Sequence, residues 1–229
     1  MGNLIQTIGT SVKRGYDWLK DRMQAISNII QGWYNQYKEH RAGLKRHREY
    51  LDCVLDSAIE YTPEEVDIEL SERLRHTLQS IEDGKLLEYL KSLPFEQRKE
   101  YIEKSLLPLV CKEMCVSPKF LDWFQNESTI GYYCEKYRGI ALNELYLASD
   151  NDYVLRVFIN TIIHECKHAM QWDAVAGRNT HGYSDELILK WRINFQDYIA
   201  PEESDEGYVK QPVEWDASSF AESVYSTDN

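Results

Sequence analysis

The residues best suited to chemistry in this chain are His164-Glu165-Cys166-Lys167-His168. On an α-helix, side chains four positions apart project from one face, one turn apart, so the imidazoles at 164 and 168 can reach a single metal ion. Glu165 sits beside the first histidine. There it can act as general base towards a metal-activated water rather than bind the metal itself. At about 100° per residue, Leu155, Phe158, Ile159, Ile162, Cys166, Ala169 and Met170 fall on the arc opposite the two histidines. The helix carrying the pair is therefore expected from about Asp152 to Val175, with one buried apolar side and a separate polar side. Ser149-Asp150 can cap it.

A catalytic zinc takes three protein ligands and keeps one position open. Three candidates for the third ligand differ in spacing. Six residues after His168 stands Ala174, which has no donor. His181 lies thirteen residues on, a spacing similar to that of SprT-like metalloproteases, as is Trp172 four residues after His168. Glu214 lies on a separate predicted helix opened by Pro212, beside the apolar stripe Val213, Ala217, Phe220 and Val224. A carboxylate beside such a stripe is costly without a metal or a partner. Ala217 and Ala221 would let that helix approach closely. Glu214 is the preferred ligand.

The segment Glu214-Trp-Asp-Ala217-Ser-Ser-Phe220-Ala221 resembles the glutamate-ligand helix of gluzincin-type metallopeptidases, in particular the ImmA/IrrE-like group. Trp191-Arg-Ile-Asn194-Phe195, Gln211-Pro212 and Ile140-Ala-Leu-Asn143 are similar to a group of uncharacterised bacterial metallopeptidase-like proteins. The likeness covers about residues 128–225. Lys167 departs from the aliphatic, Gly or Arg residue usual there; it points away from the metal's line and is expected not to affect ligation. The resemblance implies one zinc ion held by His164, His168 and Glu214, and hydrolysis of a peptide bond in a protein or peptide substrate with Glu165 as base. His181, Tyr183, Tyr198 and Tyr208 are candidate donors to the oxyanion. Asp173 or Asp216 can orient a ligand histidine. The strand at Ile140 to Leu145 can accept an extended substrate as an added strand.

Two other functions compete. One is a non-enzymatic zinc-stabilised interaction module, which the retained Glu165 disfavours, because a structural site needs no base. Cys166, about 160° from His164, cannot close the fourth position. The other is a toxin or effector whose N-terminal helices serve export or docking.

The surrounding chain reads as a mostly helical α+β protein. An all-helical region over 1–120 precedes a zincin-like region over 121–229 with a small antiparallel sheet. Apolar residues from Ile8 through Val12, Tyr16, Leu19, Met23, Ile26, Ile30, Trp33 and Tyr37 recur in steps of three and four. This seam resumes at Leu44, Leu51 and Val54, so residues 8–54 can pack internally, join a partner helix or build an oligomer. Gly43 marks a possible bend. Thr62 and Pro63 open a second helix, Asp83-Gly84 stops it, and Pro94 and Ser117-Pro118 punctuate others. Residues 129–134 and 140–147 read as two strands around a turn at 136–139. A helix follows from Ser184 to Tyr198, then an acidic loop from Pro201 to Gly207.

The net charge is −12, with nine Lys/Arg against four Asp/Glu in residues 1–50 and the excess acid in the rest. An acidic body disfavours nucleic acid as partner. No apolar run is long enough to span a membrane. Polar residues interrupt the first eighteen positions, against a classical secretory signal. Gln6 argues against myristoylation at Gly2. The expected location is cytoplasmic, or exported without such a signal. Five irregularly spaced cysteines argue for free thiols. Cys111 and Cys115, read as sharing a helix face, are assigned to packing rather than metal.

Overall fold

A computed structural model of the chain describes residues 31, 32, 35, 36, 38–57 and 62–227. The chain divides into two compact units, Met1–Cys53 and Val54–Asn229. The described backbone of the first is helical; helix α1 runs over 38–56 without a break at Gly43 and ends three residues past the division. Ala or Gly makes little steric demand on a helix face, and Gly43 has open space around it. The seam from Ile8 to Ile30, with Trp33 and Tyr37, lies outside the described residues.

The second unit is a mostly helical α+β fold. Helix α2 (Glu65–Ser80) begins after Glu64 as N-cap, not at Thr62-Pro63, and ends in a 3-10 turn closed by Gly84 at φ +80°. Helices α3 (Leu86–Ser92) and α4 (Phe95–Tyr101) follow, with Pro94 at the N-cap of α4. A π-helical turn leads into α5 (Leu107–Glu113). Cys115 lies beyond α5, exposed and at φ +55°, so it does not share a helix face with buried Cys111.

Strands β1 (Leu121–Phe124), β2 (Gly131–Cys134) and β3 (Gly139–Asn143) form one sheet in the order β1-β3-β2. It is mixed rather than antiparallel: β1 pairs with β3 in parallel and β2 pairs with β3 antiparallel. The expected strand at 140–147 ends at Asn143. That side chain accepts from the Leu145 N–H and starts helix α6 (Glu144–Leu147). Buried Asn143 also donates to the carbonyls of Asn126 and Thr129, fixing the loop that leads into β2.

Helix α7 (Asp152–Val175) has the expected bounds, with Asn151 as its cap. Helices α8 (Asp185–Gln196) and α9 (Asp205–Lys210) precede α10 (Pro212–Val224), which opens at Pro212 and packs along α7. Leu74, Leu90, Ile102 and Leu106 from the first half join Leu142, Phe158, Ile162, Trp191 and Phe220 in one core. Elements on both sides of residue 120 contribute to this core, with α2 packed on α10 and α3 and α5 on α7. Among the described residues, no helix is long and apolar enough to cross a membrane.

Candidate metal centre

Helix α7 presents His164 and His168 on one face, their rings edge to face with centroids 4.6 Å apart. Leu155, Phe158, Ile159, Ile162, Cys166, Ala169 and Met170 are all buried on the apolar side. Helix α10 brings Glu214 to the histidines. Ala217 and Ala221, both fully buried, keep the helices close, and Val213, Phe220 and Val224 are buried beside them. The start of α10 is held by a buried amide pair. Asn194 Nδ2 donates to Gln211 Oε1 and Asn194 Oδ1 accepts from the Val213 N–H, while Gln211 Nε2 donates to the Ile199 carbonyl.

Glu214 then lies between the imidazoles. Its Oε2 is 3.2 Å from His164 Nε2 and its Oε1 is 3.2 Å from His168 Nε2. The ligand atoms of the three residues fall within 4.8 Å of one another. Tyr198 donates to Glu214 Oε1 at 2.7 Å, and the Tyr208 ring meets the Tyr198 ring edge to face, with centroids 6.2 Å apart. Glu214 Oε2 is buried, and its approach to His164 lacks hydrogen-bond geometry. Two imidazole nitrogens, each facing one oxygen of the same carboxylate, one of these oxygens without a donor, make a donor set of the kind zinc takes. The residues fit the metal.

Burial alone would raise the Glu214 carboxyl, but His168 and His164 beside it hold it well below the usual range. Burial pulls His168 down, and Glu214 more than reverses this, so its imidazole rises to about 9. Glu165 has the opposite environment. Burial pushes its carboxyl up against the pull of both histidines. The Tyr198 and Tyr208 hydroxyls are raised by burial and by Glu214.

A cleft of about 370 Å³ opens on these groups. His164, Glu165, His168, Glu214, Tyr198 and Tyr208 line it, together with β2 and the stacked rings of Trp172 and Phe195, 4.0 Å apart. The strand beside the site is β2. The expected substrate-pairing strand, β3, is central and paired on both sides, so it has no free edge. The Asn143 N–H donates to the Ile130 carbonyl, and the register pairs Gly131 with Leu142 and Tyr133 with Ile140. The alternation of an antiparallel pair then turns the backbone groups of Gly131 and Tyr133 away from β3, to the open edge. A Cβ at Gly131 would come within 2.8 Å of Thr161 Cγ2, so glycine lets β2 lie close to α7.

The structure separates the remaining candidates. His181 does not line the cleft. It sits at φ +53° near Asp173, 3.9 Å from its Oδ2, and borders a different hollow with Val66, Leu70 and Met170. It follows the end of α7, where the chain turns away from the ligand face. Tyr183 is buried with Asp67 and Lys167 instead. Asp173 is bound by Arg178, not by a ligand histidine. Asp216 approaches the site indirectly, accepting from Gln171 Nε2, while Gln171 Oε1 lies 2.8 Å from His168 Nδ1. Gln171 escaped the sequence reading, although its i+3 spacing from His168 was a usable signal. Ser218, one turn after Glu214, places Oγ 3.4 Å from His164 Nδ1.

No protein-family model matches the chain, and neither a curated protein nor a solved structure matches it.

Proposed function

We propose that the protein is a zinc-dependent peptidase of the gluzincin type, with His164, His168 and Glu214 as ligands and Glu165 as general base. The observation that carries the reading is the convergence of the three ligand atoms within 4.8 Å at the floor of an open cleft, with Glu165 beside them. Zinc, when bound, supplies a Lewis acid that polarises the scissile carbonyl and lowers the pKa of water.

The chain's own residues account for the rest. Glu165, on the cleft wall beside the ligand histidines, is placed to take a proton and return it to the leaving amine. The open edge of β2 at Gly131 and Tyr133 offers backbone donors and acceptors to an extended peptide, which supports a protein or peptide substrate. Tyr198 and Tyr208, protonated and on the cleft wall, are the donors available to a developing oxyanion. Trp172 and Phe195 give the cleft an aromatic wall beside His168. The competing reading, a purely structural zinc site, finds no use for a buried carboxyl next to the ligands or for a cleft leading to them.

The test is cleavage of a mixed peptide library by zinc-loaded protein, read by mass spectrometry. Wild type should produce cleavage. Glu165→Gln, which keeps the shape but cannot accept the proton, should bind zinc and lose about 10²- to 10⁴-fold in rate. Equal turnover by both proteins would rule the mechanism out.

A further inference from the structure

Behind the ligand face of α7 lies a second buried polar cluster, centred on Lys167, whose side chain is fully removed from solvent. Its Nζ is 2.6 Å from Asp67 Oδ1, 2.7 Å from the Tyr183 hydroxyl and 3.4 Å from Asp216 Oδ2. Tyr183 donates to the same Asp67 oxygen at 2.6 Å. The rings of Tyr183, Phe220 and Trp191 surround the ammonium, with centroids at 4.5, 4.9 and 5.5 Å. A buried ammonium persists only if it is paired. Its partners come from α2, α8, α10 and the turn before α8.

One of those partners is shared with the metal centre. Gln171 Nε2 donates to the Val213 carbonyl at 3.0 Å and to Asp216 Oδ2 at 2.7 Å. These two bonds use both amide hydrogens, so the amide oxygen must face the other way, 2.8 Å from His168 Nδ1. An amide oxygen only accepts. His168 therefore carries its hydrogen on Nδ1, and its Nε2 is the atom turned to Glu214.

We propose that Lys167 is a positioning residue for the ligand His168: with Asp67 it holds Asp216, which fixes the Gln171 amide and through it the tautomer and orientation of the imidazole. This rests on the zinc reading of the site. It gives the departure from the family pattern at Lys167 a role that contact with the metal could not. It also makes α2, which carries Asp67 a hundred residues from Lys167, a support of the metal centre. Partners of this kind typically set metal affinity within one to two orders of magnitude.

Lys167→Met alone leaves Asp67 and Asp216 in the core without their cation. The informative protein is therefore Lys167→Met/Asp67→Leu, which removes one charge of each sign and leaves Asp216 its bond from Gln171. Asp216→Asn is the second variant, since Lys167 keeps Asp67 there. Gln171→Leu is the reference for a lost bond to His168. Each is made in the full chain and checked for fold by circular dichroism. Zinc affinity is measured by chelator competition, and the visible spectrum of the cobalt(II)-substituted protein reports ligand geometry.

The double variant and Asp216→Asn should bind zinc about 10- to 100-fold more weakly than wild type. Their cobalt bands should move in the direction seen for Gln171→Leu. Wild-type affinity and an unshifted spectrum in either folded variant would overturn the proposal and leave Lys167 a packing residue. Wild-type protein that binds no zinc would remove the proposed function and this inference together. Zinc-binding wild type with unaltered variants would remove the inference alone.

Discussion

Helix α7 carries buried charge on two faces, and the faces are built differently. Around Lys167, one ammonium meets Asp67, Tyr183 and Asp216 inside an aromatic box with no opening. Around His164 and His168, two imidazoles face one carboxylate across 3.2 Å at the floor of a cleft. In the first cluster a cation is already supplied by the chain. In the second, Glu214 Oε2 has no donor and lies with the two imidazoles in a group whose candidate ligand atoms are within 4.8 Å of one another. Each cluster keeps a buried acceptor without a donor, Asp67 Oδ2 and Glu214 Oε2, but only the second lies beside two imidazoles at the floor of a cleft. Burial of charge by itself therefore does not mark a candidate site; converging ligand-type atoms and an entrance do.

That contrast can be broken by substitution. The largest effect on stability belongs to the closed cluster. Lys167→Ala leaves two carboxylates in the core and should destabilise the protein by about 3–5 kcal/mol, measured by denaturant unfolding. His164→Ala in metal-free protein should cost no more than about 1.5 kcal/mol, because Glu214 keeps His168 and Tyr198 as partners. Equal losses would show that the two faces are both structural.

A smaller effect sharpens the open face. Tyr198→Phe removes the hydroxyl that donates to Glu214 and faces the cleft. It should keep one zinc per chain and lower the rate by about 10- to 100-fold in the cleavage assay. An unchanged rate would leave Tyr208 as the donor. His181→Ala should have the least effect, with zinc content and rate both unaltered, since His181 borders another hollow.

The open face was far more legible in sequence than the closed one. His164 and His168 are one turn apart, and an amphipathic period surrounds them, so local geometry sets both the helix and its polar side. Asp152–Val175 was read with its observed bounds. Glu214 was reached through Pro212 and the stripe Val213, Ala217, Phe220 and Val224, again a local pattern. Lys167 and Asp67 are a hundred positions apart, and no periodicity links them; only the packing of α2 against the rest of the core brings them together.

The sheet was partly hidden for a different reason. Ile140 to Leu147 is one apolar-rich run because β3 and the end of α6 are both buried, so burial does not reveal the switch at Asn143. Leu121–Phe124 is too short to stand out as a strand. Missing β1 also meant taking β3 for an edge, although it is the centre of the sheet. The N-terminal seam from Ile8 to Tyr37 lies outside the described residues, and its partner is not legible in sequence, because a heptad pattern fits an internal face, another chain or a second copy equally well.

In the proposed site, His164, His168 and Glu214 hold the metal. Elemental analysis of purified wild type, Glu214→Ala and His181→Ala, each before and after mild chelation, tests it most directly. The account predicts about one zinc per chain in wild type and His181→Ala, and loss of zinc from Glu214→Ala, since three ligands leave one open position in a catalytic site. Zinc kept by Glu214→Ala and lost from His181→Ala would contradict it.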